Sequence, residues 1–174
     1  MELAVCGSGP AADAIVAATE DIDATVKQIA PETVEDEPTA HFAAGAVVAP
    51  TGAAVFGAAT DHFDRWVAVE IGGLGSHPIE DLDAAVTTFG PETACYRCLT
   101  RRVGAHTEAA DGNPHGDRGR VRLAGAVAGH RLILLLAGAS GGTITELPGP
   151  ARRLLPVPNC ECEPDDGSSQ ELGP

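Results

Sequence analysis

The sequence predicts an α/β fold: a mostly parallel sheet with helices on both faces, formed by one domain over residues 1–162, with an acidic tail or linker over 163–174. Three observations lead there. Short apolar runs alternate with helix-favouring stretches up to Ile71, the runs are continuously apolar, and a Gly-Ser-Gly turn joins the first run to the first helix. Strands without a polar side are buried on both faces, and parallel strands need crossover helices to cover them. The 174 residues suffice for one core, and 44% hydrophobic with 21% charged residues excludes disorder over the whole length and a coiled coil.

The elements follow in order. Residues 2–6 form the first strand, Gly7 to Ala12 the turn, and an Ala-rich helix runs to about Thr19. Residues 24–29 are a second strand, and the acidic, proline-bounded stretch Pro31 to Pro38 is a solvated connection. Gly45 to Ala49 reads as a buried strand, Thr51 as the cap of a helix from Gly52 to about His62, and Trp66 to Ile71 as the next strand. Gly72 to Ser76 is a flexible turn, Asp81 to Phe89 is strand-like, and Cys95 to His106 is helical. Asp111 to Gly119 is an exposed loop. The longest helical pattern, Arg120 to Ala139, stops at Ser140-Gly141-Gly142 before a strand over Thr143 to Leu147.

Eleven basic residues against 25 acidic ones give a net charge of −14. Residues 1–94 hold two basic and 16 acidic residues, while 95–174 hold nine of each, so the first half carries all of the net charge. Lys27 is the only lysine among the eleven cations. Dense carboxylates with almost no lysine suit a salt-adapted, halophilic surface; an acidic partner-binding face is the alternative. Either way the balance argues against nucleic-acid binding. The longest apolar run, Leu132 to Ala139, is far short of the roughly 20 residues that span a bilayer. The start lacks the basic region of a secretory signal, so no membrane association and a cytoplasmic location are expected.

Four of the five cysteines pair up, as Cys95-x-x-Cys98 and Cys160-x-Cys162. Two close thiol pairs in a cytoplasmic chain suit a tetrahedral four-thiolate zinc site, structural because no coordination position stays open for water. Two unrelated reduced pairs or a redox couple is the other reading. The 61 residues between the pairs are too many for a zinc finger, so the metal would clamp the C-terminal segment onto the domain. Cys6, on the first strand, reads as a buried apolar cysteine. His41, His62, His77, His106, His115 and His130 have no partner at ligand spacing, and Ser8 and Ser140 lack a nucleophile-elbow pattern. Gly7-x-Gly9-x-x-Ala12, between strand and helix, is a variant of the nucleotide fingerprint and makes the expected sheet Rossmann-like. Phosphates would meet bare backbone and a helix N-terminus there, with Glu32 the nearest acid for a ribose. A tight turn explains the same glycines.

Together, the glycine turn, the strand-helix alternation and the cysteine pairs resemble the ThiF/MoeB-type, ubiquitin-activating fold. The segment Phe89-Gly90-Pro91-Glu92-Thr93-Ala94-Cys95-Tyr96-Arg97-Cys98-Leu99-Thr100-Arg101-Arg102-Val103 is similar to a stretch of the ThiF-like domains that accompany YcaO enzymes in thiazole/oxazole-modified peptide biosynthesis. Residues 123–129 and the ending Arg153 to Cys160 resemble later parts of that pattern. The resemblance implies a domain that stands ahead of or beside a YcaO partner, which uses ATP to activate a peptide amide for cyclodehydration or thioamide formation. It also implies a substrate peptide or protein as a second partner, and relatives that commonly dimerise. Adenylating members hold ATP with an acid after the second strand, a helix Arg and Lys, and a magnesium-placing Asp. Here Lys27 lies inside a strand and no separate catalytic cysteine remains, although Asp61, Asp64 and Arg65 fall where an acid and an arginine could face a nucleotide. The expectation is therefore a non-catalytic scaffold or substrate-presenting domain without its own ATP; the alternative is an active ATP-dependent adenylating enzyme.

Overall fold

The computed structural model describes residues 1–34, 42–104, 116–147, 149–160 and 162. His41, His106, His115, the end of the acidic connection, most of the 111–119 loop and the tail from 163 lie outside the described residues. Nine strands and four α-helices are described: β1 Glu2–Cys6, α1 Pro10–Ala18, β2 Thr25–Ile29, β3 Ala44–Pro50, α2 Val55–His62, β4 Trp66–Ile71, β5 Gly73–Leu74, β6 His77–Pro78, β7 Ala84–Phe89, α3 Tyr96–Gly104, α4 Arg118–Leu136, β8 Thr143–Leu147 and β9 Ala151–Arg153.

Seven strands form one sheet in the order β2-β1-β3-β4-β7-β8-β9. The first four are parallel, and β7, β8 and β9 each run antiparallel to the strand before them. The sheet is thus mixed: its parallel half is the one the apolar runs announce, and in its antiparallel half β4 and β7 are joined through the short strands β5 and β6, β7 and β8 through α3 and α4. Helices cover both faces, α1 and α4 on one and α2 and α3 on the other.

The strand side chains divide between these faces with the expected period of two. Leu3, Val5, Ala46, Val48, Val67 and Val69 pack under α1 and α4, whereas Ala4, Cys6, Val47, Trp66 and Ala68 pack under α2 and α3. On the first face α1 and α4 lie close because α4 presents Gly125 and Gly129. A Cβ at Gly125 would overlap the Ala11 carbonyl oxygen, and one at Gly129 would sit 2.6 Å from the Ala18 methyl. All six aromatic residues stand on the other face. Trp66 stacks on Phe89 at 4.4 Å between ring centroids, Phe56 stacks on Tyr96 at 5.3 Å, and Phe42 and Phe63 lie 6.4 Å apart.

Three local expectations are corrected. Thr51 does not cap α2: the helix starts at Val55 after Ala54, with no side-chain cap, and the Thr51 hydroxyl instead donates to the Ile71 carbonyl across the sheet end at 3.3 Å. The loop expected to end at Gly119 gives way to helix at Arg118. Asp117 there caps α4 by accepting the Arg120 N–H at 3.0 Å, while Asp83 accepts the Asp117 N–H and pairs with the Arg120 guanidinium at 2.7 Å. Gly72 to Ser76 is no free turn but leads into a two-stranded hairpin, β5 with β6.

Candidate metal centre

The two cysteine pairs converge. β7 returns antiparallel to the start of β4, pairing Phe89 with Trp66, and the turn that follows aims the chain back over the aromatic face. That turn is specified locally. Thr93 Oγ1 accepts the Gly90 N–H at 3.0 Å and donates to the Gly90 carbonyl at 2.7 Å, and Glu92 takes a left-handed φ of 59°. Cys95 then sits just before α3, its carbonyl accepting the N–H groups of Cys98 and Leu99 at 3.0 and 3.2 Å, so Cys98 falls in the first helical turn.

The second pair arrives on the segment after β9. Arg102, four residues beyond Cys98 and so on the same side of α3, donates from Nε to the Leu155 carbonyl at 2.7 Å and from Nη2 to the Pro156 carbonyl. Leu154 is buried, the Val157 N–H donates to Cys98 Sγ at 3.3 Å, and the Cys160 N–H returns to the Val157 carbonyl at 3.2 Å. Asn159 at φ 60° makes that last turn, a conformation asparagine tolerates better than most residues.

The sulfur atoms of Cys95, Cys98, Cys160 and Cys162 all lie within 4.8 Å of one another. Cys98 to Cys162 is 3.4 Å, Cys95 to Cys160 is 3.6 Å and Cys95 to Cys98 is 3.8 Å. The cysteines are free thiols. A tetrahedral ion with metal–sulfur bonds of about 2.3 Å has sulfur–sulfur edges of about 3.8 Å, so the four thiols fit such an ion. Burial raises the thiol pKa values of Cys95 and Cys162. Cys160 is pulled down to about 7, chiefly because the Cys162 N–H points at its sulfur. The cluster can hold a metal ion, and Cys6 has no part in it: it lies in the core beneath the α2 side of β1, its thiol pushed up to about 11 by burial and then by Glu32.

The other predicted site residues stand apart from this cluster. Gly7 and Ser8 line a pocket of about 510 Å³ outside the carboxyl ends of β1, β3 and β4, together with Glu32, Val48, Pro50 and Ala54. This is the point where the chain order reverses in the parallel half of the sheet, the usual position of ligand crevices in open α/β sheets. Gly7 has φ 121°, and a Cβ there would overlap the Val48 carbonyl oxygen, so the close approach of β3 already demands glycine. Gly9, at φ 87°, is the residue before α1 with open space around it, and Ala12 is buried in the core. Neither Gly9 nor Ala12 lines the pocket, and no Lys or Arg is among its described lining residues. Asp64 and Arg65 precede β4 and so lie at the opposite end of the sheet from that pocket, and Asp61 lines a different pocket, beside the cysteines. His62 ends α2, His77 is in β6 and His130 is exposed on α4; none joins the sulfur cluster.

Sequence reasoning passed over Glu70. It is fully buried on β4 beneath α3, where Tyr96 of the first cysteine pair donates to its Oε1 at 2.9 Å. Its Oε2 has no partner within the described residues. Burial raises its pKa to about 7, against the opposing hydrogen bonds from the Gly75 backbone and Tyr96. A single acid inside the apolar run Trp66-Val67-Ala68-Val69-Glu70-Ile71 is the signal that marks it. Compared with known proteins, the chain matches no family model and no curated protein. Among the described residues, no helix is long and apolar enough to cross a membrane.

Proposed function

We propose that this chain is a zinc-stapled, Rossmann-like domain that works without catalysis of its own, presenting a peptide or protein substrate to a YcaO-type, ATP-using partner. The observation that carries the reading is the convergence of two distant thiol pairs at tetrahedral spacing. Four protein thiolates fill a zinc ion's coordination shell, so the ion holds structure and has no open position for a substrate. The donor set supports zinc: soft thiolates in tetrahedral array favour it, and reduced cysteines suit a cytoplasmic protein.

The pocket at the strand ends supports the non-catalytic side of this reading. A triphosphate needs cations or a magnesium site, and the described walls offer Ser8 and Glu32 amid alanine, valine and proline. The resemblance of residues 89–103 to YcaO-associated domains supports the partner. A homodimer belongs to the same proposal.

Two measurements test it. Zinc analysis of the purified protein should find about one ion per chain, with four thiols becoming titratable on chelation. Labelled pyrophosphate should not exchange into ATP with this chain alone, whereas adding the chain to a YcaO-type enzyme and its peptide should raise peptide turnover. Exchange by the chain alone would establish the adenylating alternative, and a partner whose peptide affinity and turnover ignore the chain would end the scaffold reading.

A further inference from the structure

The four sulfurs are not equally accessible. Cys95 and Cys162 are half-buried and, with Cys160, line a pocket of about 450 Å³ between α2 and α3. Cys98 is fully buried on the far side, held by the Val157 N–H. A small oxidant therefore meets Cys162 and Cys95 first. Short sulfur contacts run between the two segments of chain: Cys98 is 3.4 Å from Cys162 and Cys160 is 3.6 Å from Cys95, both shorter than the 3.8 Å between Cys95 and Cys98 within one motif.

We infer that the cluster is a peroxide-modification site at which the metal clamp converts into a disulfide clamp between Cys98 and Cys162, joined by a second between Cys95 and Cys160. The inference rests on the four-thiolate metal reading. In the first step the Cys162 thiolate attacks one oxygen of hydrogen peroxide; an S–O bond forms, the O–O bond breaks, and hydroxide leaves. In the second, the Cys98 thiolate attacks the sulfenic sulfur; the S–S bond forms, the S–O bond breaks, and a second hydroxide leaves. Two electrons pass from the two sulfurs to the peroxide, and a second hydrogen peroxide oxidises Cys95 and Cys160 to their disulfide by the same two steps. The metal ion keeps its charge and departs as its donors are consumed.

The pairing decides the consequence. A Cys95–Cys98 bond would close one turn of α3 and leave the segment from Leu154 untethered by sulfur. Bonds across the cluster instead keep that segment against α3 where Arg102 already holds its carbonyls. Oxidation thus removes the metal and preserves the docked arrangement.

The full chain, loaded with zinc, is treated with hydrogen peroxide while a chromogenic chelator reads the zinc, and the product is digested with trypsin without reduction. Cleavage after Arg97 separates Cys95 from Cys98, while Cys160 and Cys162 share the peptide that begins at Leu154. The expected result is release of all bound zinc, a dominant link between residues 98–101 and the Leu154 peptide, and recovery of zinc binding after dithiothreitol. Zinc retained in excess peroxide, a dominant Cys95–Cys98 link, or sulfinic and sulfonic acids without disulfide would overturn the inference. Cys162→Ser should abolish the link to residues 98–101, and Cys6→Ser should leave the map unchanged; should Cys162→Ser fail to fold, further cleavage of the wild-type product after Glu161 by a glutamyl protease separates Cys160 from Cys162 and decides. A chain that binds no zinc yet forms the crossed disulfides refutes the metal reading while leaving the pairing intact, so the two failures are distinguishable.

Discussion

The two faces of the sheet solve the same covering problem with different chemistry. Under α1 and α4 the contact is made of alanine, valine, leucine and glycine, and a 19-residue helix lies directly on its neighbour. Under α2 and α3 the helices are eight and nine residues long, and the space is filled by all six aromatic rings, a buried carboxyl and the sulfur cluster. Short helices bury little and hold poorly by themselves. The close-packed face holds by direct helix-on-helix contact, whereas on the aromatic face the proposed metal clamp would tie the chain end over two short helices.

The largest effect should therefore come from the clamp. Chelation, or Cys98→Ser, is expected to cost about 4 kcal/mol or more and lower the melting temperature by roughly 10 °C. Amide exchange would rise in α3 and the Leu154 segment before it rises in α1 and α4; uniform exchange across both faces would break the comparison. On the other face, Gly125→Leu should cost about 3 kcal/mol by forcing α4 off Ala11. Metal content should stay unchanged, and calorimetry with elemental analysis checks both halves of that expectation.

Glu70 sharpens the contrast through pH. Its carboxyl is raised from 4.5 to about 7, so the folded chain binds more protons than the unfolded chain between those values. Stability is then greatest below about pH 4.5, for this group, and declines as pH rises to about 7. Glu70→Gln should remove that decline and stabilise the protein at pH 8 by about 2 to 3 kcal/mol, with little difference at pH 4. Denaturation curves across that range decide, and parallel curves for the two proteins would count against a neutral buried acid. The smallest change is Asp117→Ala, which deletes the cap of α4 for about 1 kcal/mol and should leave metal affinity untouched.

Much of this was legible along the chain. The runs Leu3 to Cys6, Ala44 to Ala49 and Trp66 to Val69 are continuous because both sides of each strand are buried, and that announces a sheet covered on both faces. Cys95-x-x-Cys98 and Cys160-x-Cys162 announce donors because two thiols at such spacing can reach one ion. Arg102 stood inside the recognised cysteine stretch, but its task of holding Leu155 and Pro156 depends on a segment 53 residues away. Thr51 shows the opposite failure: a good local cap signal lost to a carbonyl at the end of β4, as tertiary contact outcompeted local preference.

Local sequence, then, determined the element types, the positive-φ turn at Gly7 and which thiols could hold a metal, since those depend on periodicity, backbone freedom and ligand chemistry within a few residues. Tertiary structure decided the antiparallel half of the sheet, which face received every aromatic ring, the burial of Glu70 under Tyr96 and the meeting of the two thiol pairs. Those features join residues far apart in sequence, and such contacts exist only once the layers have packed.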